Sequence, residues 1–280
     1  MKLSALFCDA IRSDQDFLSS AYYAFPEDGQ FVHIPKKALT AREKALLQPF
    51  IEDRVDDVTN PWSDFLSGQG SLPIPETDLQ LLFLYHSKEL STELKDLFEA
   101  LLPNLLVVTR LTSRQSVIVL QADALQDTSA MIKDLLPTIE SDFDLRLEVL
   151  IGHIWTGFSA SDLETILTSE YAMSQQFYQH TAPKQVRTFP QALLWSLAKE
   201  KDATFLSQQL QGLMTRLKDG HDLVLAMWQE QGNLAQTAQR LFIHRNSLQY
   251  RLDKFYQTTG LNLKHLDDLA LAYLVILKEI

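Results

Sequence analysis

A chain of 280 residues with 46% hydrophobic and 22% charged residues has the composition of an ordinary globular protein, and it is long enough for two or three compact domains. A single cysteine, Cys8, excludes an intramolecular disulfide framework, and no apolar run is long enough to span a bilayer. The net charge of -11 is uneven: from Gly220 onward six Lys/Arg meet six Asp/Glu, which leaves 19 against 30 in the first 219 residues. Loose, charge-driven binding of the whole chain to nucleic acid is therefore excluded, whereas a small oriented patch at the neutral C-terminal end is not. The opening MKLSALFCDAIRSD has an apolar run interrupted by Asp9 and Arg12, too short for a signal peptide, so the expected compartment is the cytoplasm.

Residues 1–75 read as a small N-terminal α/β module plus a linker. A helix is expected around Phe17 to Ala24, and GQFVHIP (29–35) reads as a strand. Thr40 with Glu43 forms a capping-box signature for a helix, LTAREKALLQPFIED, whose apolar side is Leu39, Leu46, Leu47 and Phe50. Turn formers crowd the stretch from Asn60-Pro61-Trp62 through Gly68-Gln69-Gly70 to Pro73 and Pro75, as in either a linker or an ordered crossover.

Beyond Leu79 the pattern changes. LQLLFLYH is a buried-strand run and STELKDLFEALLP an amphipathic helix. NLLVVTRLTSRQSVIVLQA gives two strands about a turn, DTSAMIKDLLPTIESD a helix, and LRLEVLIGHIW a strand. The order β-α-β-β-α-β predicts a split-βαβ, ferredoxin-like arrangement over 76–182, an antiparallel sheet with helices on one face. SASDLETILTSEYAMSQQFYQH adds a long helix, capped by Ser161 or Ser159, with Leu163, Ile166, Leu167, Ala172 and Phe177 facing inward. Residues 183–219 read as two connecting helices broken near Lys201-Asp202. Pro190 stands early in the first and Asp202 caps the second.

Residues 220–280 are expected to be all α, which makes the chain a multidomain α+β protein. His221 to Gln231 is its first helix, with Leu223, Leu225, Ala226 and Trp228 as core; a ligand-stacking role is the other reading of Trp228. NLAQTAQRLFIHRNSLQYRLDKF, Asn233 to Phe255, then shows two short apolar stripes, Leu234/Ala238/Leu241 and Leu248/Leu252/Phe255, the spacing of a helix-turn-helix. Asn233 with Gln236 reads as a capping box for the first of these helices. On the second, Arg245, Asn246, Gln249 and Tyr250 are placed to face a DNA major groove, with Ser247, Arg251 and Lys254 nearer phosphates. Arg251 has an internal salt bridge as its other role, and His244 either caps the helix or meets a phosphate. An ordinary helical hairpin with a polar outer face is the alternative to a DNA reader. Gly260 suits a left-handed cap, and LALAYLVILKEI, apolar nearly all round, either completes the small core or makes a dimer contact.

The run His244-Arg245-Asn246-Ser247-Leu248-Gln249-Tyr250-Arg251-Leu252, followed by Thr259-Gly260-Leu261, resembles the C-terminal helix-turn-helix of the PucR/CdaR family of bacterial transcriptional regulators. Ser247 stands where the family usually has Thr, and Gln249 where it often has Arg. Ile151-Gly152 and the split-βαβ order make the middle part similar to the family's degenerate GGDEF-like domain. Active GGDEF cyclases place glycines and acids on the central hairpin turn, here Leu111-Thr112-Ser113-Arg114-Gln115, which has neither. The resemblance thus implies a regulator rather than a cyclase: double-stranded DNA as partner, a homodimer reading two half-sites, and a small-molecule effector of unknown identity.

No residue pattern supports catalysis, a metal or a cofactor. The seven histidines show no HExxH or Cys/His ligand spacing, and neither a Walker nor a G-x-S-x-G motif occurs among the nine glycines. The competing function is a non-DNA ligand-binding or protein-interaction scaffold.

Overall fold

The computed structural model describes residues 61–277 except 75–77, 103, 123–127 and 202, and within the first 60 only 7, 11–13, 22–27, 30–35, 39–40, 42–44 and 47. Near the N-terminus β1 (Ile11–Ser13), β2 (Tyr22–Glu27) and β3 (Gln30–Pro35) form an antiparallel sheet in the order β1-β3-β2. Phe25, Val32, Ile34, Leu39 and Leu47 form its buried cluster. β3 is the expected strand. The helix expected over Phe17–Ala24 is overturned at its end, where Tyr22, Tyr23 and Ala24 pair with Pro35, Ile34 and His33. Adjacent aromatic residues suit a pleated surface, and the partner strand is only two residues away; residues 17–21 lie outside the described residues. Thr40 and Glu43 do form a capping box: the Glu43 N–H donates to Thr40 Oγ1 at 3.3 Å and the Thr40 N–H to the Glu43 carboxylate at 2.8 Å. Of the helix it opens, Leu46 and Phe50 lie outside the described residues.

The turn-rich stretch is an ordered crossover, not a free linker. It contains α1 (Pro61–Leu66), whose Trp62, Phe65 and Leu66 are buried in the main core. Their spacing, i, i+3, i+4, is a helical signal that the surrounding Pro and Gly residues obscure.

The central sheet follows the expected order through β4 (Leu79–His86), α2 (Thr92–Leu101), β5 (Leu105–Thr112), β6 (Gln115–Gln121), α3 (Thr128–Phe143) and β7 (Leu147–Ile151). Its strands lie in the order β5-β6-β4-β7, each neighbouring pair antiparallel, which is the split-βαβ arrangement. A fifth strand, β8 (Val186–Thr188), joins β7 in parallel, where the sequence suggests only helices. The helices are also not confined to one face. Leu82, Leu84, Ile118 and Leu120 pack with Leu94 and Phe98 of α2 and with Ile132, Leu136 and Ile139 of α3. Leu79, Leu81, Phe83 and Val117 pack on the other side with α1 and with α4 (Ala160–His180). Burial on both faces explains why β4 is apolar without alternation.

Ser159, not Ser161, caps α4, accepting from the Asp162 N–H. Leu163, Ile166, Leu167 and Phe177 face inward as expected; Ala172 is exposed, and Glu170, Met173 and Ser174 occupy the rest of the stripe. Then come α5 (Phe189–Ala198), with Pro190 in its first turn, and α6 (Thr204–Thr215). Ala203 precedes α6 without a side-chain cap, and Asp202, the expected cap, lies outside the described residues. Four further helices follow: α7 (Gly220–Gln229), α8 (Leu234–Arg240), α9 (Arg245–Thr259) and α10 (Leu266–Leu277). α10 buries Leu269, Leu271, Ala272, Val275 and Ile276, so it completes the core. A single buried cluster runs without interruption from one face of the central sheet to α10.

Residues 152–155, just after β7, sit at the centre of that cluster. The Glu170 carboxylate is fully buried and accepts the His153 N–H at 2.7 Å and the Trp155 Nε1–H at 2.9 Å. Gly152 runs so close beneath it that a Cβ there would come 2.5 Å from the Leu81 carbonyl oxygen and 2.8 Å from Glu170 Oε1. Burial pushes the Glu170 carboxyl up to about 7, against the pull of its two N–H donors. Burial likewise drives the His153 imidazole down to about 3, opposed by the Thr259 backbone.

The two groups act oppositely on stability, so each is isolated only by difference. Glu170 ionises in the unfolded chain near the ordinary glutamate value of 4.5 and in the folded chain near 7. Its contribution therefore falls as pH rises between these values, by about 3 kcal/mol in full. Chemical denaturation of the parent and of Glu170→Gln at pH 4.5 and pH 8 is expected to show the parent losing about that much relative to the variant.

Candidate nucleic-acid interface

The site is built on α8 and α9 and the corner between them. Asn233 caps α8, its Oδ1 accepting from the N–H groups of Ala235 and Gln236 at 3.1 and 3.2 Å. The reciprocal half of the expected capping box is replaced: the Asn233 N–H donates to the Glu230 carbonyl at 2.9 Å rather than to Gln236. Arg240 closes the far end of α8 by pairing with Glu230 at 2.9 Å. Leu248, Leu252 and Phe255 of α9 are buried as the stripe predicts, and Thr259 joins them. That burial fixes which face of α9 looks outward.

His244 is the cap of α9, its Nδ1 accepting from the Asn246 N–H at 3.2 Å, which settles its local role. Arg245, Asn246 and Ser247 follow in the first turn, all exposed, with Tyr250 at 68% exposure one turn on and Lys254 exposed beyond it. Among the described residues the side chains of Arg245, Asn246, Ser247, Tyr250 and Lys254 have no hydrogen-bond or ionic partner. Gln249 is engaged, donating to Asp253 Oδ1 at 2.6 Å. Arg251 pairs with Asp219 at 3.7 Å, an exposed and therefore weak bridge.

Asn246, Ser247, Tyr250, Arg251 and Lys254 form one wall of an open cleft of about 480 Å³; Leu217–Gly220, between α6 and α7, form the other. Lys218, a cation that sequence reasoning did not single out, lies on that second wall. Phe242 was also missed. It stands at the corner with φ 53° and 96% of its surface exposed, a costly conformation for a bulky residue. Its sequence signal is an aromatic that fits neither apolar stripe. Trp228 does not have the core place expected of it. It is 36% exposed and stacks on Tyr273 of α10, centroids 4.3 Å apart and planes 9° from parallel. Val224 and Met227 are buried beside Leu223 and Ala226 instead, while Leu225 is half-buried.

A family model, the PucR C-terminal helix-turn-helix domain, matches residues 222–277, which spans α7 to α10. The leucine-rich protein of Streptococcus dysgalactiae subsp. equisimilis is 35% identical over 255 residues, 90% of this chain and 90% of its own. The chain belongs to the PucR/CdaR family of bacterial transcriptional regulators. Uncharacterized protein YxkF of Bacillus subtilis (strain 168) is 26% identical over 91% of this chain and 90% of its own. The carbohydrate diacid regulator of Escherichia coli (strain K12) is 28% identical over 155 residues, 54% of this chain and 40% of its own length. The matched PucR-type domain is thus the part whose second and third helices carry the exposed polar turn. Its geometry depends on the Asn233 cap. Asn233→Ala is expected to cost about 1 kcal/mol, measurable by urea denaturation, with the Ala235 and Gln236 amides gaining hydrogen exchange.

Proposed function

We propose that this regulator binds double-stranded DNA in a sequence-specific way, with α9 in the major groove. The observation that supports this best is the exposed first turn of α9, where Arg245, Asn246 and Ser247 project from a helix fixed by three buried apolar residues. In this reading Arg245, Asn246, Gln249 and Tyr250 meet base edges, the first two suited to guanine and adenine. Ser247, Arg251, Lys254 and Lys218 line the cleft that takes a phosphate backbone. His244 acts through the cap, and Gln249 exchanges its bond to Asp253 for a base.

A homodimer would present two such helices to half-sites about one helical turn, ~34 Å, apart. Upstream parts respond to a small metabolite. The sheet body is taken as a degenerate GGDEF-like domain of 76–182, supported by its strand order and by a hairpin turn at Ser113–Arg114 with neither acid nor glycine. Residues 1–75, 183–219 and 220–280 complete the proposed division into an N-terminal module, a connection and the DNA-binding end. The chain is proposed to work in the cytoplasm as a regulator, not an enzyme; among the described residues no helix is long and apolar enough to cross a membrane.

Fragments selected from the source genome by the full chain test this. Arg245→Ala with Asn246→Ala is expected to abolish footprints while leaving the thermal unfolding transition within a few degrees of the parent. Footprints retained by the folded double variant would overturn the placement of α9. Parent affinity is expected to fall steeply between 50 and 200 mM salt, roughly a factor of 10³ or more if six or more phosphates are contacted. Binding without salt dependence would favour a protein-interaction scaffold.

A further inference from the structure

A second cavity, of about 260 Å³, lies where the sheet, the start of α5 and the helix-turn-helix end meet. Each contributes a wall. The sheet side supplies Gln80, Thr128, Ser129 and residues 151–154, the middle Thr188–Pro190, and the C-terminal side Tyr256, Gly260, Asn262, His265 and Asp268. Two of these, Tyr256 and the cap Gly260, belong to or end α9 itself.

The lining is built and polar. Gln80 is buried and locked, donating to the Gly152 carbonyl at 2.9 Å and accepting from the Thr128 hydroxyl at 3.2 Å. His153 is 3% exposed, and its ring packs against the 259–260 backbone, with Thr259 as its backbone partner. Gly260, at φ 68°, passes so close that a Cβ there would lie 2.8 Å from the His153 ring. The end of α9 is therefore packed directly on the imidazole.

Charge selects the occupant. Around the cavity stand Asp268, His153 and His265, and neither Lys nor Arg. Asp268 accepts the Asn262 N–H at 2.7 Å, and burial pushes its carboxyl up to about 6. An anion would meet a carboxylate with only His265 to balance it. A cation would relieve the desolvated carboxylate, while Ser129, Thr188 and Asn262 offer hydrogen bonds to hydroxyl groups and Ile151, Ile154 and Phe189 an apolar floor.

We propose that this cavity binds a small hydroxyl-bearing amine, cationic at neutral pH, which bridges the sheet to the C-terminal end of α9 and so sets how the helix-turn-helix sits on the body. The regulatory consequence rests on the DNA-binding reading; the occupancy does not. A ligand touching both His153 and Asp268 would hold α9 and α10 against the loop that follows β7. Beside the cavity the same junction is already held by Gly260 against His153, by the Gln191–Asp267 hydrogen bond of 2.8 Å and by the continuous hydrophobic cluster.

Histidine-labelled full-length protein, titrated by NMR with glucosamine, ethanolamine, glucose and glucarate in turn, tests the proposal. Saturable shifts of the His153 and His265 ring signals are expected with at least one amine, at tenfold or more lower concentration than with glucose and without response to glucarate. Asp268→Asn is expected to erase the preference over glucose. Ser129→Phe, at the half-buried mouth, is expected to abolish the shifts while leaving the melting curve in place. Silence with both amines, a preference for glucarate, or amine binding unchanged in Ser129→Phe would overturn the site. The genome-selected fragments separate the two readings. Amine binding by a chain that retains no fragment sinks DNA binding and leaves the site standing; retained fragments with no amine response do the reverse.

Discussion

The structure depends on one buried carboxylate. Glu170 sits on a helix that covers the sheet, and its two oxygens hold the backbone of His153 and the indole of Trp155. Taking a carboxyl group out of water costs several kcal/mol unless donors replace the lost solvent. Here they do so in part, and a carboxyl raised to about 7 records the remainder. The return is positional. Residues 152–155 are fixed between β7 and α4, with Trp155 bridging back to Leu79 and Phe189 packed edge-on against the indole. Gly260 then seats the end of α9 on the ring of His153.

Through that contact the C-terminal helices join the body as one packed unit. The hydrophobic cluster that begins on β4 continues through α4, α5 and α6 into α7–α10. Packed interiors switch between discrete arrangements rather than deforming continuously, so on the proposed reading a change at the 152–155 loop would reach α9 as a shift of the whole helix. This is the physical reason for placing a ligand response at the junction, where all three walls are already in contact.

How much was legible follows from how local each signal is. The helix-turn-helix could be read because its stripes, its caps at Asn233 and His244 and its stop at Gly260 all lie within about thirty residues. The split-βαβ order could be read because β4 and β6 are long apolar runs. By contrast, β8 has three residues, Val186-Arg187-Thr188, and owes its existence to the free edge of β7 rather than to any pattern of its own. α1 hid among prolines and glycines, and Trp228 was assigned by residue type to a core that Val224 and Met227 already fill. Glu170 illustrates the deeper limit. Its place on the inward stripe of α4 is visible as spacing, but the donors that make a buried acid tolerable lie fifteen and seventeen residues away in the chain.

The electrostatics of α9 bear on how such a surface works. Arg245, Arg251, Lys254 and Lys218 gather around the exposed turn, yet Asp219 draws on Arg251 and Asp253 on Gln249. Behind them lies a body that accounts for the whole net charge of -11, and its field opposes approach to a polyanion. On the proposed DNA-binding reading, one helix with so few uncommitted cations would release few counterions, and its contribution would stay near the non-specific range of roughly 10⁻⁴–10⁻⁶ M. In the proposed dimer, two such helices held at the spacing of a groove repeat would turn the second contact into an intramolecular one with an effective concentration in the millimolar range. Weak heads on an acidic body would then bind tightly only where both half-sites are present and only while the body holds the heads at the right separation. Under that proposed arrangement a small rotation of α9 about its seat on His153 would be enough to couple what the body binds to what the heads read.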